Sequence, residues 1–203
     1  MKQIEVVTIF LIFGVLIQSV QSQVNDCIEP FSSYDTITTN GNYIKYLVKE
    51  KSAKLEYGNE NFNRVLPELY SCEIADARVP KFKWDNNDFI CLGYGCGSPC
   101  WGVLILPLNS KDCVRKIMYD KAWDPGKNIL VYIGGPEYEN LIVENIKTKM
   151  SQIIEISKKC SSIFLGYCID SVAIRNNELY YRFVEPNIFD KNKRLTEYRI
   201  RIQ

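Results

Sequence analysis

Alternating apolar and polar residues recur along this chain and constrain most strongly what it can fold into. In segment 43–49, Ile44, Tyr46 and Val48 alternate with lysines, and in segment 198–202 apolar residues alternate with two arginines. A period of two places successive side chains on opposite faces of an extended strand, whereas an amphipathic helix has a period of about 3.6 residues. The pattern therefore predicts half-buried β-strands in both regions.

Residues typical of turns separate many of these segments. The pair Asn176-Asn177 lies between the apolar-rich segments 172–175 and 178–184, and the turn sequence 124–127 contains both proline and glycine. Asparagine tolerates left-handed backbone and proline fixes a turn-compatible φ. We therefore predict a mainly β fold with little helix, an antiparallel meander of propeller-blade-like or sandwich-like sheets stabilised by disulfides.

Two segments are harder to assign. Residues 111–122 fit a helix by one spacing and a strand by another, and we favour a strand because the turn at 124–127 would then close a hairpin. Residues 60–75 are expected to contain a short helix, because their leucines are spaced for one helical face and Pro67 allows only the first turn before it.

Residues 1–22 have the features of a secretory signal peptide. Lys2 precedes an apolar run, and small residues precede the expected cleavage site after Ser22. The alternative, an uncleaved anchor, is disfavoured because the run is shorter than the roughly 20 residues that cross a bilayer. We therefore expect a secreted or periplasmic protein without stable membrane insertion. Residues 23–203 are predicted to form a single β-rich domain, with 23–80 as its amino-terminal part.

The composition excludes several kinds of chemistry. The chain has 25 lysines and arginines against 24 acidic residues, and no histidine. A near-neutral charge gives no basis for nucleic acid as a partner. Without histidine the chain cannot build a Ser-His-Asp or Cys-His catalytic site or a histidine zinc site. We predict no catalytic residues, no cofactor and no bound metal.

All eight cysteines follow the predicted signal peptide. Export to an oxidising compartment favours disulfides, although eight cysteines allow about 105 connectivities. Local closure suggests one bridge between Cys160 and Cys168 and another between Cys27 and Cys72. Two more are expected within the group that contains Cys91, Cys96, Cys100 and Cys113.

The stretch CLGYGCGSPCWG, residues 91–102, concentrates three of these cysteines with four glycines. Gly93 and Gly95 resemble the start of a phosphate-binding loop, but Ser98 occupies the position of that motif's third glycine and no helix follows. The four cysteines of the group above are compatible with a zinc site, and Cys96 with Cys100 suggests a thiol-disulfide redox pair. The acidic turn at 85–88 lacks the glutamate of a calcium loop.

A purely structural role for residues 91–102 requires fewer special features than any of these chemical sites. Glycines permit a tight turn between two strands, and cysteines at the strand ends would fix it. The turn would then project as a rigid loop. We take Gly93, Tyr94, Ser98 and Trp101 as its candidate binding residues.

The motif CGSPCWG at 96–102, the segment 140–148 and the cysteine-bounded segment 160–170 resemble a group of uncharacterised secreted bacterial proteins, mainly from Bacteroidetes. That group is built of propeller-like β-meanders. The resemblance covers about residues 85–185. It implies a β fold and an exported location, and it implies no reaction.

We predict a non-enzymatic binding protein that recognises a protein, as an immunity protein does, or a glycan through the 93–101 loop. The alternative is a redox protein or sensor that uses Cys96 and Cys100. A carboxylate pair, Glu137 and Glu139, and a basic cluster near the carboxyl end are secondary candidates. Five tyrosines could line a binding face: Tyr132, Tyr138, Tyr167, Tyr180 and Tyr181.

Overall fold

A computed structural model describes residues 31–71, 73–156, 160, 162, 164–184 and 195–202. The predicted signal peptide and its cleavage site lie outside these residues, as do Cys27 and Cys72. No helix among the described residues is both long enough and apolar enough to span a membrane.

The described chain is mainly β, which confirms the predicted fold class. Its strands form four antiparallel sheets, and within each sheet neighbouring strands are consecutive in sequence. The first sheet contains β1 (Thr36–Ile37), β2 (Tyr43–Lys49), β3 (Ser52–Asn59) and β4 (Phe62–Ser71). The second contains β5 (Lys81–Asp85), β6 (Phe89–Gly97), β7 (Cys100–Pro107) and β8 (Arg115–Met118).

The third sheet contains β9 (Asp120–Asp124), β10 (Ile129–Gly134), β11 (Asn140–Asn145) and β12 (Met150–Glu155). The fourth contains β13 (Ile169–Arg175), β14 (Glu178–Val184) and β15 (Leu195–Arg201). The chain divides into two compact units, Met1–Phe82 and Lys83–Gln203. The boundary falls two residues beyond position 80, where the amino-terminal part was expected to end.

The helix expected within residues 60–75 is wrong, because Phe62–Ser71 forms β4. This strand is the last in the order of the first sheet, and its pairing with β3 shifts register between Lys54 and Glu56. Proline is tolerated on edge strands and at bulges, where its missing N–H breaks no ladder hydrogen bond. Pro67 therefore does not interrupt the sheet.

Residues 111–122 contain strands, as favoured, but they are divided between two sheets. Tyr119 has a φ of 59° and separates β8 from β9. The turn Pro125–Lys127 then joins β9 to β10, and Asp124 caps it by accepting a hydrogen bond from the Lys127 N–H. The hairpin predicted around residues 124–127 is confirmed.

The hairpin at Asn176 and Asn177 is also confirmed. Both residues have positive φ values, 50° and 62°, and they join β13 to β14. Two left-handed residues in a two-residue loop match the right-handed twist of the flanking strands. The alternation at 43–49 is confirmed as well, since Ile44 and Tyr46 are buried.

The third sheet is buried on both faces. On one face, Val131, Ile133 and Leu141 pack in a core with Leu179 and Phe183 of the fourth sheet. On the other face, Leu130 packs with residues of the second sheet that include Cys91 and Val103. The second, third and fourth sheets are therefore stacked layers of one unit, so the segments that connect their strands can meet.

Candidate functional site

The predicted loop at 93–101 is shorter than expected. Strand β6 continues to Gly97 and β7 begins at Cys100, so only Ser98 and Pro99 connect them. The Ser98-Pro99 peptide bond is cis, and both residues are exposed. Of the four candidate binding residues, Ser98 alone lies in the connection.

Gly93, Tyr94 and Trp101 are strand residues instead. Tyr94 pairs with Gly102, whereas Trp101 pairs with Gly95. Adjacent pairs of a hairpin project from opposite faces of the sheet. The Tyr94 hydroxyl donates to the Met118 sulfur at 3.4 Å, away from the face on which Trp101 lies. The structure therefore does not bring these candidates together.

Gly93 has a structural reason to be glycine. A Cβ atom at this position would lie 2.6 Å from the Lys83 Cε, so the lysine stem could not cross the strand there. The Lys83 ammonium is 2.5 Å from Asp120 Oδ2. Gly93 thus permits the ion pair between Lys83 and the buried Asp120.

Trp101 belongs to a cluster of five aromatic side chains that we call the aromatic cluster: Trp101, Tyr119, Tyr138, Phe164 and Tyr167. Tyr119 is at its centre, with ring centroids 5.3 Å from Trp101, 5.3 Å from Tyr138 and 4.5 Å from Phe164. Tyr167 contacts Phe164 at 5.7 Å in an edge-to-face arrangement. Such pairs contribute about 0.5–1.5 kcal/mol each beyond the area they bury.

The two outer tyrosines of the aromatic cluster are accessible. Tyr138 is 45% exposed and Tyr167 is 55% exposed, whereas the other three side chains are half-buried. The cluster therefore has a half-buried base and an exposed aromatic surface. Both tyrosines were among the candidates for a binding face.

Two tyrosines of the cluster have left-handed backbone. Tyr119 has a φ of 59° and Tyr138 a φ of 54°. This conformation is uncommon for a bulky residue and costs about 1–3 kcal/mol, so it persists only where surrounding contacts require it. The Tyr119 N–H donates to the Trp101 carbonyl at 2.9 Å, and the Tyr119 carbonyl accepts from Ile133 at 3.1 Å. Local strain of this kind is concentrated at functional sites.

A disulfide braces the segment that supplies Phe164 and Tyr167. Cys160 and Cys168 are joined, which confirms the predicted bridge. Gly166 is required between the two aromatic residues, because a Cβ atom there would come within 2.1 Å of the Phe164 ring. The bridge and this close packing hold the aromatic side chains in place.

Lys121 lies beneath the aromatic cluster. Its ammonium is 5.2 Å from the centroid of the Trp101 ring and donates to the Gly166 carbonyl at 3.3 Å. Burial lowers the pKa of Lys121, opposed by the nearby charges of Asp120 and Asp170. The lysine links Trp101 to the disulfide-braced segment, which is a structural task.

The second disulfide closes the β6–β7 hairpin. Cys96 and Cys100 are bonded with a Cα–Cα distance of 5.0 Å, so these cysteines cannot serve as thiolate ligands of the considered zinc site. The expected second bridge in this group is wrong. Cys91 is a free cysteine buried in the core of the second and third sheets, and Cys113 is a free cysteine exposed before β8. One faces the core and the other solvent, so they do not pair.

We expect the two free thiols to differ in reactivity. Burial raises the pKa of the Cys91 thiol, so at pH 8 it is protonated as well as inaccessible, whereas Cys113 is exposed. Native protein treated with iodoacetamide should carry the label on Cys113, and Cys91 should react only after unfolding. Mass spectrometry of peptides locates the label. Equal labelling of both cysteines in the native protein would contradict this packing, and Cys113→Ser is the control.

The carboxylate of Glu139 makes hydrogen bonds within the turn that contains both glutamates. Glu139 accepts hydrogen bonds from the Glu137 N–H at 2.8 Å and from the Asn140 amide at 3.1 Å. Its carboxylate therefore fixes the turn that presents Tyr138. Both glutamates are exposed.

Tyr119 and Phe164 were not among the site residues predicted from the sequence. The only local signal for Tyr119 is that alternation breaks there, between two short strands. The aromatic cluster joins residues as far apart as positions 101 and 167, which no spacing rule connects. Comparison with known protein families, curated proteins and solved structures finds no match.

Proposed function

We propose that this chain is a secreted, non-enzymatic protein-binding domain whose recognition surface is the aromatic cluster. The observation that carries the proposal is the exposure of Tyr138 and Tyr167 above a packed aromatic base. Tyrosine and tryptophan are the residues most often responsible for binding energy in interfaces. They offer large contact areas with little conformational entropy to lose.

The segments around the aromatic cluster favour a protein partner over a glycan. Glycine and serine are abundant in them and two tyrosines are present, in the sequences GCGSPCW (95–101), GGPEYEN (134–140) and SSIFLGYC (161–168). This is the composition of antibody recognition loops, in which rigid aromatic residues are combined with small polar ones. Disulfides in the first and third segments support recognition by limiting the ordering needed on binding.

The charge at the exposed edge of the cluster indicates the chemistry of the partner. Glu137 and Glu139 flank Tyr138, and both are exposed. Acidic residues at an interface edge favour a basic partner and accelerate its association. We therefore infer a partner that presents an apolar patch bordered by lysine or arginine. The disulfides are consistent with an exported protein, and secretion remains part of the proposal.

Photo-crosslinking tests this function. Benzoylphenylalanine at position 167 should yield a discrete adduct with a basic protein in the secreted fraction of the producing cells. The same group at Met150, which is 72% exposed on β12, should yield none. Equal adducts at both positions, or no protein adduct at position 167, would overturn the proposal.

Once the partner is purified, alanine variants measure the contribution of each tyrosine. We expect Tyr138→Ala and Tyr167→Ala each to raise the Kd about 30-fold, the effect of losing a hot-spot residue. The matched control is Ile153→Ala, which removes a 63% exposed side chain from β12. Affinities of the two tyrosine variants within about threefold of the wild type would refute the assignment.

The redox alternative is separated from this proposal by the double variant Cys96→Ser/Cys100→Ser. A recognition domain should keep measurable partner binding, weakened by the greater ordering needed in the hairpin, and should lose only part of its stability, because the closed loop is short. A redox protein would lose all thiol-disulfide exchange with a dithiol substrate. Retained partner binding would make the Cys96–Cys100 disulfide a structural brace, whereas a loss of thiol-disulfide exchange would make it a redox-active pair.

A further inference from the structure

The fourth sheet has a charged face that the aromatic cluster does not share. On β14, side chains at alternate positions face away from the core, with Tyr180 between Glu178 and Arg182. The residues paired with Tyr180 are Ala173 on β13 and Arg199 on β15. We call this surface the arginine face, after its four arginines: Arg175, Arg182, Arg199 and Arg201.

A cleft of about 290 Å³ lies on the arginine face. Among the residues that line it are Arg175, Arg182, Ser171, Ala173 and Glu197. The small side chain of Ala173 lies between larger neighbours, which leaves room at this position. The volume is near the lower end of the range of about 300–1,000 Å³ for pockets that bind small ligands.

The arginines of this face are only partly neutralised. Arg199 is paired with Glu178 at 2.6 Å, and hydrogen bonds from Arg199 and Tyr180 lower the pKa of Glu178. Arg182 donates to the Ser171 hydroxyl at 2.7 Å and is 3.5 Å from the carboxylate of Asp170. These contacts hold Arg182 in position while its other donors stay accessible, since it is exposed.

Arg175 differs from these two arginines. It is exposed, and its guanidinium lies 6.0 Å from the centroid of the Tyr180 ring. Within the described part of the chain, no carboxylate forms an ion pair with it. Arg175 can therefore offer its planar group of donors to a ligand at one end of the cleft, and Arg182 lines the same cleft.

We propose that this cleft binds an acidic oligosaccharide, with its carboxylate or sulfate groups on Arg175 and Arg182. Arginine binds such groups through two parallel hydrogen bonds. Glu197 also lines the cleft, and an ionised carboxylate can only accept hydrogen bonds. The ligand must therefore bring hydroxyl donors beside its anionic groups. An acidic sugar carries both on one ring, whereas an acidic peptide would place carboxylates against Glu197.

Calorimetric titration of the full chain tests the proposal with defined probes. A galacturonate tetrasaccharide and a chondroitin sulfate tetrasaccharide distinguish carboxylate from sulfate as the recognised group. Neutral maltotetraose should not bind, and polyglutamate should bind more weakly than the acidic sugars. Arg175→Gln/Arg182→Gln should weaken binding of the preferred sugar at least about tenfold, as expected for the loss of charged hydrogen bonds.

The matched control removes the same charge elsewhere. Lys45→Gln/Lys49→Gln changes two exposed lysines of β2 and should leave the affinity unchanged. The proposal is overturned if neither acidic sugar binds, if polyglutamate binds as tightly, or if the lysine variant loses as much affinity as the arginine variant. Because Arg175 and Arg182 are exposed, both variants should keep the wild-type melting temperature. The result does not depend on the protein partner proposed for the aromatic cluster.

Discussion

Lys83→Met is expected to destabilise the second unit by about 3–5 kcal/mol, the cost of leaving a buried charge without its partner. The side chain of Asp120 is only 2% exposed, and Lys83 is the cation that pairs with it. Asp120 Oδ1 already has no hydrogen-bond partner among the described residues. Methionine has nearly the length of the lysine stem that crosses Gly93. The loss of unfolding free energy therefore measures the effect of removing the charge, because no cavity is created.

Urea unfolding followed by tryptophan fluorescence measures this effect in the correct unit, because all three tryptophans lie after residue 82. Lys147→Met is the matched control. It breaks an ion pair with Asp88 in which the side chains are 57% and 34% exposed, and should cost less than about 1 kcal/mol. Lys83→Met/Asp120→Asn should recover part of the loss by removing the buried charge. Equal stability of Lys83→Met and the wild type would show that Asp120 is solvated.

Arg115→Met should have a similarly large effect, about 3–5 kcal/mol, for the same reason. Arg115 binds Glu144 through two hydrogen bonds of 2.6 and 3.0 Å, and Glu144 is only 4% exposed. The Tyr132 hydroxyl also donates to Glu144, at 3.1 Å. Without the guanidinium, the Tyr132 hydroxyl would be the one side-chain donor to the buried Glu144 carboxylate among the described residues. Urea unfolding by tryptophan fluorescence again measures the loss.

Arg115→Lys is the informative comparison, because a lysine keeps the charge but cannot form the paired hydrogen bonds. We expect an intermediate stability. If Arg115→Lys and Arg115→Met lost the same free energy of unfolding, geometry rather than charge would dominate. If neither lost any, the Glu144 network would not be buried in solution.

Tyr132 makes this network sensitive to alkaline pH. Burial and the negative charge of Glu144 raise the pKa of Tyr132 from 10.0 to about 12. A folded-state pKa above the unfolded value contributes stability that is complete below pH 10 and is lost as the pH rises towards 12. Tyr132→Phe should flatten this part of the stability profile. An unchanged profile would contradict the assignment.

Local sequence patterns were sufficient to predict several strands and turns. A period of two identified β2 and β15, and the turn residues at 124–127 and 176–177 placed two hairpins correctly. These features are local, since alternation and left-handed backbone act over a few residues. The bridge between Cys160 and Cys168 could be predicted for the same reason, because its two cysteines are only 8 residues apart in sequence.

Which residues come into contact depends on packing between distant segments. The spacing of Leu66 and Leu69 suggested a short helix, but pairing with β3 makes this segment a strand. An even cysteine count suggested a further bridge, but packing turned Cys91 into the core while Cys113 remained in solvent.

The candidate site depended on packing in the same way. Tyr94 and Trp101 were predicted to share one loop, but the register of β6 and β7 places them on opposite faces. The aromatic cluster exists because stacked sheets bring together connecting segments that are distant in sequence. The physical reason is that burial depends on non-local contacts, and these are set by register and layer packing rather than by local preference.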